Sequence, residues 1–190
     1  MNNKLTICSP HMWSLRKHIL FILATFAFVM PLYAQAKTGL MANIRKEVAL
    51  INSDSMYKKR TLENEAFMEN MTDGGGKLTG YFKNKQIKKI YQWIGLSNGI
   101  EITEFYFKNG QLIFVYEQFN SFVYNNKDQP DLTKTETTFE GRYYFHNNKL
   151  IDYLTTGHNR FEDDKYNPEN ILVKQAHDTL KLLTRKNRTD

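Results

Sequence analysis

The stretch EFYFKNGQLIFVYE, residues 104–117, places Asn109-Gly110 between two runs of aromatic and aliphatic residues. An Asn-Gly pair in this setting predicts a β-hairpin, because a type I′ turn needs positive φ at both central residues. Close copies of its centre occur at residues 81–85, YFKNK, and 144–148, YFHNN. The sequence therefore predicts three hairpins built to one plan.

Each copy also predicts its own register. With two-residue turns, each phenylalanine lies opposite an aliphatic residue five positions later: Phe82 and Ile87, Phe107 and Leu112, Phe145 and Leu150. Such aromatic–aliphatic pairs fix the alignment of two strands. Because side chains alternate along a strand, phenylalanines directed to the core leave the preceding tyrosines on the opposite face.

That opposite face is the candidate binding surface. Alternation places six aromatic and charged residues there: Tyr81, Glu104, Tyr106, Glu140, Arg142 and Tyr144. Tyr and Arg are favoured in recognition surfaces, because they combine a large contact area with a polar end. The alternative is an ordinary solvated sheet face, which carries the same residue types.

Helices are predicted at both ends of the domain. One apolar stripe is formed by Leu40, Ile44, Val48 and Ile51, and a second by Leu172, Ala176, Leu180 and Leu183. Asn167-Pro168-Glu169 supplies a cap, a first-turn proline and an early acid for the second helix. The predicted fold is α+β: an antiparallel sheet of about five to seven strands built from hairpins, with N- and C-terminal helices packed on one face.

The connecting segments are less regular. Residues 72–77 predict a flexible connector and residues 125–134 a polar loop containing Pro130. Residues 52–71 are ambiguous, and we expect a turn followed by a strand or two around Thr61–Met68.

Three segments carry a resemblance: GGKLTGYFKN, EFYFKNGQLIFVYE and GRYYFHNNKLIDYL. They resemble uncharacterised secreted or periplasmic proteins of Gram-negative bacteria that carry repeated GYFKN and YYFxNGxLI β-hairpins. The resemblance covers roughly residues 40–160. It implies an exported N-terminus and a hairpin-built sheet, and it implies no activity.

The N-terminus has the pattern of a secretory signal peptide. Arg16 and Lys17 precede an apolar run, residues 19–34, and Ala34-Gln35-Ala36 forms a cleavage site. An uncleaved anchor is the alternative, but 16 residues fall short of the ~20 that span a bilayer core. We therefore predict a signal peptide at residues 1–36 and a single α+β domain at 37–190. The mature chain is expected in the periplasm or outside the cell, with no membrane span.

Charge and cysteine content exclude two classes of function. The net charge of +6 falls to +3 once residues 1–36 leave with three basic and no acidic residues, and the remaining Lys and Arg residues are spread along the chain. A nucleic-acid binder concentrates them, so we expect no nucleic-acid partner. The single cysteine, Cys8, also leaves with the signal, which excludes disulfides and thiol chemistry from the mature chain.

No motif predicts catalysis, a metal or a cofactor. His146, His158 and His177 lack metal-ligand spacing, and no serine lies in a nucleophile elbow. His158, in a polar segment with acidic neighbours, is the best candidate among the histidines. We expect a non-enzymatic binding protein that uses the open sheet face to contact a protein or cell-envelope component. The alternatives are a small secreted hydrolase whose carboxylates converge in three dimensions, and a carrier of an apolar ligand.

Overall fold

The computed structural model describes residues 35–125, 129–158, 160–161 and 165–185. The predicted signal peptide lies outside these residues, apart from Gln35 and Ala36. By internal packing the chain divides into residues 1–42 and 43–190. In the first unit, residues 35–42 are helical and mostly exposed. In the second unit, residues 43–53 are helical and are called helix α1.

The second unit contains a seven-stranded antiparallel sheet in which every strand pairs with its neighbours in sequence. The strands are β1 Lys58–Glu63, β2 Gly76–Lys83, β3 Gln86–Leu96, β4 Gly99–Lys108, β5 Gln111–Tyr124, β6 Pro130–His146 and β7 Lys149–Gly157. A short 3-10 turn, Asn64–Ala66, follows β1, and helix α2, Pro168–Thr184, follows β7. The predicted α+β fold with an antiparallel sheet and two terminal helices is confirmed.

The three predicted hairpin turns are confirmed in their backbone. Both central residues of each turn have positive φ, between 51° and 78°: Asn84 and Lys85, Asn109 and Gly110, Asn147 and Asn148. The predicted register is also confirmed, since each phenylalanine pairs with the aliphatic residue five positions later. Turn chemistry thus fixes the alignment of six of the seven strands.

A β-bulge accompanies each of these turns and was not predicted. The register shifts between the tyrosine and the phenylalanine of every copy, which leaves one residue of the returning strand unpaired. In β5 that residue is Ile113, because Tyr106 pairs with Phe114 and Phe107 with Leu112. An extra residue reverses the alternation beyond it. Phe114 therefore joins the face of Tyr106, here called the tyrosine face, while Val115 and Glu117 join the face of Phe107, the phenylalanine face.

The phenylalanine face carries the main hydrophobic core, covered by α2. The buried cluster consists of Leu78, Ile87, Ile90, Phe105, Phe107, Leu112, Val115, Tyr143, Phe145, Leu172, Ala176 and Leu183. Asn167 caps α2 by accepting a hydrogen bond from the amide of Asn170, 3.3 Å away. The Glu169 carboxylate accepts from the backbone amide of Leu150 at 2.8 Å, which ties the start of α2 to β7.

Residues 43–53 of α1 contact the tyrosine face, which corrects the expectation that both helices pack on one face. Arg45 donates to the hydroxyl of Tyr144, and Asn52 lies 3.1 Å from the hydroxyl of Tyr106. Ile44 and Ile51, from the predicted apolar stripe, are buried. The physical reason is the row of large rings on this face, where Phe114 packs between Tyr106 and Tyr144 and α1 removes their apolar surface from water.

Two predicted connecting segments also differ from the structure. β6 begins at Pro130, so strand replaces the second half of the loop predicted at 125–134; residues 126–128 lie outside the described part. In the ambiguous region 52–71, the strand is β1, which ends at Glu63, and the 3-10 turn follows where the strand was expected to continue.

Candidate functional site

The six predicted binding residues all lie on the tyrosine face, as their register requires. Their exposure differs from the expectation, since Tyr106 is 1% and Tyr144 5% exposed. Phe114 lies between them, with ring centroids 5.7 Å from Tyr106 and 5.0 Å from Tyr144. Tyr81 is half-buried and packs edge-on against the ring of Tyr57. The centre of the proposed surface is therefore an interface with α1.

A polar network joins α1 to the sheet around Tyr106. The hydroxyl of Tyr106 donates a hydrogen bond to Glu104. Lys89 Nζ lies 2.7 Å from Oε1 of Glu104 and 3.1 Å from Oδ1 of Asn52. Burial, and then the negative charge of Glu104, raises the pKa of the Tyr106 hydroxyl far above its ordinary range. Glu104 and Tyr106 thus have partners within the protein, and the network stabilises the position of α1.

Glu140 and Arg142 form a second internal group. Tyr116 donates to Glu140 Oε1 at 2.5 Å, and Arg142 Nη2 lies 3.1 Å from Glu140 Oε2. Burial, followed by the hydrogen bond to Glu140, raises the pKa of Tyr116 to about 12. A cleft of about 510 Å³ opens beside them, between residues 45–52 of α1 and the sheet. Its two guanidinium groups, from Arg45 and Arg142, are held by Tyr144 and Glu140.

A second cleft, of about 450 Å³, opens on the phenylalanine face. We call it the Glu117 cleft, and its lining consists of Glu101, Glu117, Gln118, Phe119, Thr138, Phe139, His158 and Arg160. Most of its wall is apolar, and its charged groups come from β4, β5 and the segment after β7. Pockets that bind small ligands have this character: a concave apolar wall with a few polar groups that converge.

Glu117 is the unusual group in this cleft. It is 4% exposed, and its Oε1 accepts a hydrogen bond from the guanidinium of Arg160, which also lies 3.1 Å from Gln175 of α2. Burial raises the pKa of the Glu117 carboxyl above its ordinary value, against the opposing effect of the Arg160 charge. The protein thus keeps a carboxyl group where ionisation is unfavourable, which is typical of functional sites.

Tyr143 is the neighbour of this carboxyl, and Gly141 creates the room for it. Gly141 pairs with Glu117 across β5 and β6, and a Cβ at Gly141 would lie 2.7 Å from the ring of Tyr143. The Tyr143 ring therefore lies over Gly141, and its hydroxyl interacts with Glu117 electrostatically. Oε2 of Glu117 and this hydroxyl are both buried, and the hydroxyl is the hydrogen-bonding group that faces the carboxyl inside the protein.

Sequence reasoning identified only the edge of this cleft. His158, the best of the histidine candidates, lines it, whereas Glu101, Glu117 and Arg160 were not selected. A signal for Glu117 was present, since it lies two residues after the buried Val115 in an apolar strand. Without the bulge, alternation from Leu112 places Glu117 on the outward face, where a carboxylate is unremarkable.

Two further features of the described residues bear on partners and cofactors. No helix in the described ranges combines the length and the hydropathy needed to cross a bilayer. The described part of the chain also brings together no group of three or more His, Cys, Asp or Glu side chains that could hold a metal ion.

Comparisons with protein-family models, with curated proteins and with solved structures find no match to this chain. Any functional conclusion therefore depends on the geometry and chemistry of the two clefts and of the surfaces around them.

Proposed function

We propose that the protein is exported and serves as a non-enzymatic binding protein of the bacterial cell envelope, with the Glu117 cleft as its binding site. The observation that carries the proposal is a buried carboxyl group, with its pKa raised by burial, in the lining of an open, largely apolar cleft. The expected occupant is a small molecule, or a side chain of a protein or cell-envelope component.

Energetics support this choice of site. Burying a carboxyl group costs free energy even when it is paired, and a hydrophobic residue of similar size would avoid that cost. Retaining Glu117 beside a cavity therefore lowers stability, a cost that ligand recognition would explain. The tyrosine face lacks this feature, since the side chains of Glu104 and Glu140 are more exposed than that of Glu117.

A small hydrolase is the second candidate, and one observation favours it. Glu101 and Glu117 line the same cleft, and burial raises the pKa of Glu117, the direction expected for a general acid. The carrier of an apolar ligand is less well supported, because the cleft contains charged groups that such a ligand would desolvate.

Binding in the cleft is tested by blocking it. We expect members of a mixed set of charged and neutral organic fragments to shift the amide NMR signals of Phe119 and Phe139 in the protein. Thr138→Trp, which adds a large ring to the lining, should abolish these shifts. Thr135→Trp, on the same strand but outside the lining, should leave them unchanged. Shifts that persist in Thr138→Trp, or an absence of shifts in the unaltered protein, would contradict the proposed site. Release of cleaved fragments during the same titration would favour the hydrolase.

Export is tested by the mass of the native protein. Cleavage after Ala36 predicts a mature N-terminus at Lys37 and a chain recovered from the envelope or the medium. A native protein that retains residues 19–36, or that remains inside the cell, would contradict this part of the proposal and leave the cleft untouched.

A further inference from the structure

The Glu117 cleft contains a carboxylate that has no ion-pair partner among the described residues. Glu101 and Glu117 contribute two carboxyl groups to the lining, and Arg160 contributes one guanidinium. Among the described lining residues, the other titratable side chain is His158, which is exposed. Arg160 pairs with Glu117, so the carboxylate without an ion pair is that of Glu101. Such a cleft attracts a cation and repels an anion.

Glu101 is the carboxylate available to a ligand. It forms no ion pair with any residue in the described ranges, whereas Glu117 is paired with Arg160. In the β4–β5 register, Glu101 pairs with Phe119 and Thr103 with Glu117, so the two glutamates are diagonal neighbours on one face. Diagonal neighbours lie ~7–8 Å apart, close enough for each charge to affect the other. The negative charge of Glu101 is one of the causes that raise the pKa of Glu117.

The walls beside Glu101 suit a ligand with an apolar body. Phe119 pairs with Phe139 across β5 and β6, and both rings are half-buried in the lining. Aromatic rings contribute hydrophobic contact, and their faces also attract cations. Arg160 gives an internal example, because its guanidinium pairs with Glu117 and lies 4.7 Å from the centroid of Phe161.

An anionic ligand fits these groups poorly. Among the described lining residues, Arg160 supplies the permanently charged cation, and its guanidinium is already bound by Glu117 and Gln175. An anion would have to displace Arg160 from Glu117, which would leave a buried carboxylate without its counter-charge.

We propose that the cleft binds an organic cation: an ammonium or guanidinium group at Glu101, with a short hydrocarbon body against Phe119 and Phe139. This inference rests on the proposed function and specifies the ligand class for the same site. A volume of about 450 Å³ accommodates a small amine or the end of a basic side chain.

Three probes of equal chain length test the ligand class: n-pentylammonium, pentan-1-ol and pentanoate. We expect n-pentylammonium to shift the amide signals of Phe119 and Phe139 with a Kd at least tenfold below those of the other two. Raising the salt concentration should weaken its binding, since part of the attraction is between charges. Glu101→Gln should raise its Kd to that of the alcohol. The matched control, Glu63→Gln, lies on β1 at the far edge of the sheet and should leave the Kd unchanged.

The outcomes separate this inference from the proposed function. Alcohol or pentanoate binding as tightly as the ammonium would overturn the cation assignment, while the cleft would remain a binding site. Equal ammonium binding by Glu101→Gln would overturn the role of Glu101. If none of the three probes shifts these signals while other fragments do in the blocking experiment, the ligand class is wrong and the site stands. If no probe and no fragment shifts the amide signals of Phe119 and Phe139, both proposals are wrong.

Discussion

Replacing Tyr106 with alanine is expected to destabilise the fold about as much as replacing Phe107, by ~3–5 kcal/mol in each case. The two rings lie on opposite faces of β4, and they are 1% and 2% exposed. Each truncation therefore leaves a cavity in a packed layer, one under α1 and one under α2. The free energy of unfolding, measured by urea denaturation, checks the prediction.

Two controls separate the ring of Tyr106 from its hydroxyl and from exposed tyrosines. Tyr106→Phe removes only the donor to Glu104, which keeps Lys89 as a partner, so a loss of ~0.5–1.5 kcal/mol is expected. Tyr124→Ala, at a position 53% exposed, should change stability by no more than about 0.5 kcal/mol. A small effect of Tyr106→Ala beside a large effect of Phe107→Ala would show that water, and not α1, covers the tyrosine face.

Ile51→Ala is the second substitution with a large expected effect, ~2–5 kcal/mol. Ile51 is 5% exposed on the side of α1 that contacts the tyrosine face. Its neighbour in sequence, Leu50, is 56% exposed, which makes Leu50→Ala a matched control expected to stay within about 0.5 kcal/mol. Chemical denaturation of both variants gives the comparison.

Hydrogen exchange adds a second readout for Ile51→Ala. If α1 covers the tyrosine face, amides of α1 should lose protection more than amides of α2, because the helix detaches before the sheet unfolds. Equal stability of Ile51→Ala and Leu50→Ala, with α1 protection unchanged, would contradict the packing of α1 described above.

The hairpins were predictable from sequence because their information is local. Asn-Gly and Asn-Asn pairs tolerate positive φ, and the pairing of Phe107 with Leu112 follows directly from a two-residue turn. The capped start of α2 at Asn167 is equally local. At Asn84-Lys85 the repeat predicted the turn better than the residue types did, since lysine seldom adopts positive φ.

The bulges were not predictable, and the assignments on β5 beyond Ile113 depend on one of them. Nothing at Ile113 marks it as the residue that the ladder skips. Its insertion moves Phe114 to the tyrosine face, where the ring packs between Tyr106 and Tyr144 under α1. The same insertion moves Glu117 to the phenylalanine face, which explains why the cleft was missed. One unpaired residue thus reverses both the exposed and the buried assignments beyond it.

The residues that line the Glu117 cleft could not be predicted from the sequence for a different reason. Arg160 meets Glu117 across 43 residues of sequence, and Gln175 belongs to another element. Local sequence patterns do not indicate which loop residue will contact a given strand residue. A pair such as Arg160 and Glu117 is therefore recognised only from the three-dimensional structure.

The order of the strands has a consequence for how the chain reaches its native state. Every β-strand pairs with its immediate neighbours in sequence, so the sheet can assemble hairpin by hairpin with short loop closures. The contacts of α1 are of another kind, since Arg45 and its partner Tyr144 are 99 residues apart. Helix α1 must wait for β6 before its contacts are complete. Until then the aromatic patch of Tyr106, Phe114 and Tyr144 is uncovered, and transiently exposed apolar surface of this kind promotes aggregation.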